Sequence, residues 1–227
     1  MKRTLMAAAL AAASLTGFTV HAASITGLVN TGLADNALPA EGQQDSHYGL
    51  VAASSDTIIG NAHGYITYDA QWPINPWLAN DATSRWITPT ATQGQTFDAN
   101  ANGTYTFHLS FDLTGYNEAT AAFAGRYAAD NAAKIYLNGA EIADGTGFTS
   151  WTGFAASSGF VAGVNSLDFV VTNWAQNGGN PAGLRVEFSS SSVTAVPEPE
   201  TYAMLAAGLG LVGFAARRRS GGGIQRV

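Results

Sequence analysis

The chain has 227 residues, 11% of them charged and 11% aromatic, and no cysteine. A packed core is therefore expected over long disorder, and disulfides, thiolate metal sites and cysteine nucleophiles are excluded. Between residues 23 and 195, four basic residues (Arg85, Arg126, Lys134, Arg185) stand against fourteen acidic ones. The resulting formal charge of −10 repels phosphate backbones and argues against nucleic acid as a partner.

At the N-terminus, Lys2 and Arg3 precede an uncharged, alanine-rich run from Leu5 to Val20, and Val20-His21-Ala22 has the small-x-small cleavage pattern. Residues 1–22 are expected to form a signal helix, removed after Ala22 or, as the alternative, after Ala23. The following 23–190 is expected to be one β-rich domain.

Short strands are expected at Ile25–Val29, Tyr48–Ala52, Tyr65–Tyr68 and Arg85–Ile87. The clearest strand is Thr104–Leu113, where Tyr105, Phe107, Leu109, Phe111 and Leu113 alternate with polar residues, the period-two signature of a half-buried strand. Lys134–Asn138 reads as a strand leading into Asn138-Gly139, a two-residue hairpin signal. Ser166–Asn173 and Leu184–Phe188 complete the set; in the latter, Leu184, Val186 and Phe188 are expected inward and Arg185 and Glu187 outward. Gly94–Gly103 and Gly145–Gly147 read as turns. The pattern predicts an all-β fold, an antiparallel β-sandwich of jelly-roll type, flanked by the signal helix and a C-terminal transmembrane helix.

Past a linker at 191–200 comes Val196-Pro197-Glu198-Pro199, then fifteen uncharged residues, Tyr202–Ala216, then Arg217-Arg218-Arg219. The span 201–219 is expected to be a membrane helix and 220–227 a disordered tail. The uncharged run reaches about 22 Å, short of a ~30 Å hydrocarbon core, and arginine snorkelling is invoked to cover the difference. The cluster would stay cytoplasmic and place the domain outside the inner membrane. Gly208, Gly210 and Gly213 spell a dinucleotide-binding fingerprint, but no strand precedes it, so close helix packing is the better reading.

This three-part order resembles the bacterial PEP-CTERM sorting signal. The resemblance implies an exosortase-type membrane protease as partner, transient residence at the inner membrane, and a final place in the envelope, at the surface or in an extracellular matrix. The sorting residues are Pro197, Glu198, Pro199, Arg217, Arg218 and Arg219. A looser resemblance rests on Asn30-Thr31-Gly32, Asp45-Ser46-His47-Tyr48, Trp72-Pro73, Ser84-Arg85-Trp86-Ile87, Ala129-Asp130-Asn131 and Ile135-Tyr136-Leu137-Asn138-Gly139. These segments are similar to those of secreted galactose-binding-like domains, which implies a β-sandwich and a sugar-binding or adhesive role.

Three chemistries compete inside the domain. Catalysis has little support: neither H-E-x-x-H nor G-x-S-x-G occurs, and His47, His63 and His108 lack metal-ligand spacing. A structural calcium is suggested by Asp98, Asn100 and Asn102 ahead of Gly103, although the same residues make an ordinary polar turn. Sugar binding is suggested by Trp72, Trp77 and Trp174 in non-strand segments, with Asp130 and Asn131 able to take hydroxyls. The same rings read equally as caps on the sandwich core, and Asp130-Asn131 as a turn. A noncatalytic exported polysaccharide-binding protein is the first expectation. A structural matrix protein and a secreted glycan-active hydrolase are the alternatives, and ring exposure separates the first two.

Overall fold

A computed structural model of the chain describes residues 22–34, 40–54, 63–197 and 199–220. It has two compact units, Ala22–Thr194 and a second comprising the two chain ends. The expected signal helix, apart from Ala22, lies outside the described residues, as do Glu198 and the tail beyond Ser220.

The strands of the larger unit are β1 (Ala22–Ala23), β2 (Gln44–Ala53), β3 (His63–Ile66), β4 (Ile87–Thr88), β5 (Gly103–Asp112), β6 (Tyr116–Leu137), β7 (Ala140–Ala156), β8 (Val164–Asn173) and β9 (Gly183–Ala195). They hydrogen-bond in the order β1-β9-β4-β3-β2-β5-β8-β6-β7, and β9 also pairs with β6. That last pairing joins the second strand of the order to the second last and closes the sheet into a sandwich, which reduces the strand edges that would otherwise invite other chains.

The alternation of β5 appears as expected: Tyr105, Phe107, Leu109 and Phe111 are buried while their neighbours reach the surface. β5 pairs with β8 in unbroken register from Gly103–Asn173 to Asp112–Val164, which aligns the apolar faces of both strands. Their side chains meet Ile66, Ile87, Leu184 and Val186 from β3, β4 and β9 in one core. Leu137 pairs with Ala140 across Asn138 and Gly139, whose φ values of 49° and 82° are those of a type I′ hairpin.

Several expectations are corrected. Ile25–Val29 is not a strand; Ile25 is anchored by its amide to Ser191 Oγ at 3.0 Å instead. Gly145–Gly147 lies inside β7 rather than in a turn. β9 runs to Ala195, into the segment expected as linker. Arg185 and Glu187 do not face solvent: they are 1% and 5% exposed, because the loop before β4 folds over that face. Arg185 there meets Ser84 Oγ at 2.6 Å, the Ala79 carbonyl, and Asp81 at 3.0 Å. Arg126 bonds Glu187 at 2.7 Å, and both guanidinium groups stack on Trp151 at 4.4 and 4.9 Å.

In the second unit, α1 covers Pro199–Ser220. Among the described residues no helix is long and apolar enough to cross a membrane. The helix is long in residues, but Glu200 and the arginines occupy its ends, and alanine and glycine dilute the run between them. Arg217 is exposed, while the side chains of Pro199, Arg218 and Arg219 lie outside the described residues.

Candidate functional site

One end of the sandwich is built from three loops and a strand. The loop between β3 and β4 carries Trp72 and Trp77, the loop before β5 carries Asp98 to Asn102, the loop between β8 and β9 carries Trp174 to Pro181, and β6 contributes Asp130 and Asn131. The peptide bonds Trp72–Pro73, Asn75–Pro76 and Asp130–Asn131 are cis.

Side-chain hydrogen bonds tie these segments together. Gln93 accepts the Tyr68 amide at 2.5 Å and donates to the carbonyls of Gln71 and Trp72 at 2.8 and 3.2 Å, which holds the Trp72 loop. Asn180 donates to the Phe97 and Trp174 carbonyls at 2.8 and 2.9 Å. The Trp174 amide donates to Asn131 Oδ1 at 2.7 Å, and the Ala175 amide to Asn102 Oδ1 at 2.8 Å. Glycine makes room for the Trp72 ring, since a Cβ at Gly94 would stand 2.9 Å from its Cε3.

A cavity of about 110 Å³ opens among these loops, and its lining includes Trp72, Trp77, Asp130, Asn131, Phe148 and Gln176. The structure thus brings together four of the five residues expected to bind a ligand, and Asn131 ties the fifth, Trp174, to the same cluster. Trp72 and Trp174 are 45% and 49% exposed, the two aromatic rings of this unit left open among the described residues. Trp77 is corrected as a stacking ring. It is 3% exposed, packs on Trp86 with centroids 4.3 Å apart, and donates its Nε1–H to Asp130 Oδ2 at 2.9 Å.

Asp130 is itself buried, and its Oδ1 has no hydrogen-bond partner. Burial pushes its carboxyl up to about 6, against the opposing pull of the Trp77 hydrogen bond. At neutral pH the group is an ionised acceptor with unused capacity, which suits a ligand that donates.

In the turn at Asp98, which suggested a structural calcium, two side-chain oxygens are used internally. Asp98 Oδ2 accepts from Tyr105 Oη at 2.6 Å and from Asn173 Nδ2 at 3.0 Å, and Asn102 Oδ1 holds the Trp174 loop. Among the described residues no three His, Cys, Asp or Glu side chains group as metal ligands. Asn100 sits on the exposed side of the turn.

Sequence reasoning missed Gln93, Phe148 and Gln176. Gln93 stands in a glycine-flanked loop without period, and Phe148 reaches the site only through the course of β7. His108 bonds Asp168 at 2.7 Å on the half-wet face of β5 and β8, away from the cavity. A larger recess of about 360 Å³, lined by Phe123, alanines and serines of β6, β7 and β9, holds no ionisable side chain. The smaller cavity, with a buried carboxylate and an open ring, is the better candidate.

The larger unit is therefore an antiparallel β-sandwich whose loops gather open aromatic rings around a buried acid. The chain also carries a PEP-CTERM protein-sorting motif, matched over residues 195–219. No curated protein matches the chain in sequence. Among solved structures it is similar to a family 35 carbohydrate-binding module from an environmental isolate, at 16% identity over 68% of this chain and 97% of that one, with a TM-score of 0.32. A family 35 module from Cellvibrio japonicus is 15% identical over 68% of this chain and 96% of that one, at 0.29. A β-glucosidase from Kluyveromyces marxianus in complex with glucose is 15% identical over 80% of this chain and 20% of that one, at 0.35. The sandwich assignment rests on the strand pairing above, not on these likenesses.

Proposed function

We propose that this is an exported, noncatalytic protein that binds polysaccharide in the cell envelope, at the surface or in an extracellular matrix. The observation that carries the reading is the exposure of Trp72 and Trp174 on loops cross-tied around the Asp130 cavity, while Trp77 and Trp86 are buried. An open indole face packs on the C–H face of a pyranose, and carboxylate and amide oxygens accept from its hydroxyls. A cavity of this size admits one edge of a sugar, well below the several hundred cubic ångströms that enclose a whole small ligand. A site of that shape fits a residue within a longer chain.

The PEP-CTERM motif supports export and handling by an exosortase-type membrane protease near Pro197-Glu198-Pro199. The arginines in the last turn of α1 would hold the tail at the inner face of the membrane until it is processed. Replacing those three residues with alanine should leave unprocessed protein in the membrane fraction; normal release would refute this route.

The test of ligand binding is retention of the full chain on a column of the producer's own exopolysaccharide. Retention that excess soluble polysaccharide competes away is expected. Passage without delay would leave the chain a structural matrix protein.

A further inference from the structure

We propose that the sugar taken by this site carries an ammonium group, a deacetylated amino sugar whose charged amine meets Asp130. The proposal rests on the polysaccharide reading and narrows it to one ligand chemistry.

The first argument is charge. Asp130 is the one ionisable side chain among the described lining residues, and no lysine or arginine lines the cavity with it. The four basic residues of the sandwich are all committed elsewhere. Arg85 pairs with Asp69 and Glu41, Arg126 with Glu187, Lys134 with Glu141 and Asp144, and Arg185 with Asp81 and Glu187. A buried carboxylate with no internal counter-charge favours a cation brought from outside.

The second argument is donor supply. Asp130 Oδ1 and Asn173 Oδ1 are both buried without a hydrogen-bond partner. They flank the Ala132–Thr172 register pair of β6 and β8, so both shortfalls lie at the same end of the sheet. Three of the nearby donors are already used: Trp77 Nε1 by Asp130, Asn180 Nδ2 by Phe97 and Trp174, and Gln176 Nε2 by the carbonyls of Gly178 and Gly179, which leaves only the neutral N–H groups of Asn131 and Trp72 in the described lining. A lining with a buried carboxylate and no positive charge offers little to a uronate carboxylate. It suits an ammonium, which brings three donors and no acceptor. The open Trp72 face in the same lining adds attraction for a cation.

The experiment is a calorimetric titration of the full chain with three probes: a glucosamine oligosaccharide, its fully N-acetylated counterpart, and an oligouronate of equal length. Because the sandwich is acidic overall, Asp144→Asn serves as a control that removes a charge from an exposed side chain. The deacetylated probe should bind about tenfold or more tightly than the acetylated one, as for a charge-assisted hydrogen bond over a neutral one. The oligouronate should not bind. Asp130→Asn, which keeps an acceptor for Trp77, should erase the preference, and Asp144→Asn should preserve it.

Equal or tighter binding of the acetylated or uronate probe overturns the proposal, as does an equal loss of preference in both variants. If the acetylated probe binds better while the chain is still retained on the producer's polysaccharide, the amine assignment fails and the polysaccharide reading stands. If no probe binds and no retention occurs, both fall.

Discussion

Trp77 donates its indole N–H to Asp130 Oδ2 at 2.9 Å, and both side chains are almost fully buried. This bond joins the loop between β3 and β4 to the middle of β6, residues 53 positions apart. It makes the buried acid and the buried ring a single structural unit. The exposed rings around it are then free to meet a ligand.

Trp77→Phe should cost about 1–3 kcal/mol, because it leaves both oxygens of Asp130 without a donor inside the protein. The same change in an Asp130→Asn background should cost less, since a neutral amide is cheaper to leave unpaired. Chemical denaturation of the four proteins measures the coupling between the two residues. Equal costs in both backgrounds would show that the indole contributes packing alone.

Asp130 also sets a pH dependence. Its folded carboxyl, raised to about 6, holds a proton that the unfolded chain gives up near 4. Between these values the folded state binds more protons, so this group lowers stability as pH rises. The full effect is about 3 kcal/mol. Thermal melts should show Asp130→Asn gaining on the wild type from pH 4 to pH 7, by several degrees. A difference that stays flat or changes in the opposite direction would contradict the assignment.

The Arg185 cluster predicts a structural cost away from the site. Arg185→Ala leaves Glu187 and Asp81 without the buried guanidinium between them and opens space beside Trp151. The loss should be about 3–5 kcal/mol, the range for breaking a buried pair from one side. Denaturant midpoints measure it, and a change below about 1 kcal/mol, typical of an exposed pair, would place the cluster effectively in solvent.

The turn at Asp98 is expected to work through its hydrogen bonds. Asp98→Ala should lower the melting temperature by several degrees, with or without calcium, by releasing Tyr105 and Asn173. A calcium-dependent rise in the wild type that Asp98→Ala abolishes would instead place a structural cation there.

The strands with clean alternation were legible in the sequence, because Thr104–Leu113 and Ser166–Asn173 pair residue for residue and each buries one face. The Asn138-Gly139 hairpin was legible because its φ values demand those residue types. The lengths of β6 and β7 were not legible. Alanine and glycine dominate both, and register shifts near Tyr127, Ala129 and Ile135 break the period of two. Asn30-Thr31-Gly32 and Asp45 carried the family resemblance for a structural reason: Asp45 accepts the amides of Gly32, His47 and Tyr48 at 2.7, 2.8 and 3.1 Å. At the site, sequence supplied the residues but not which ring is buried. Trp72 and Trp77 belong to one loop, and only the packing of Trp77 on Trp86 separates their roles. The burial of Arg185 depended on a loop folding back over β9, which no local pattern encodes.

The central claim is that the open rings bind polysaccharide, and the most direct measurement compares the full chain with its Trp72→Ala, Trp174→Ala double variant on immobilised producer exopolysaccharide. Both substitutions remove half-exposed rings and should leave a cooperative melt. The account predicts that the wild type is retained and the double variant passes through. Equal retention of a folded double variant would contradict it and move any binding surface away from these loops.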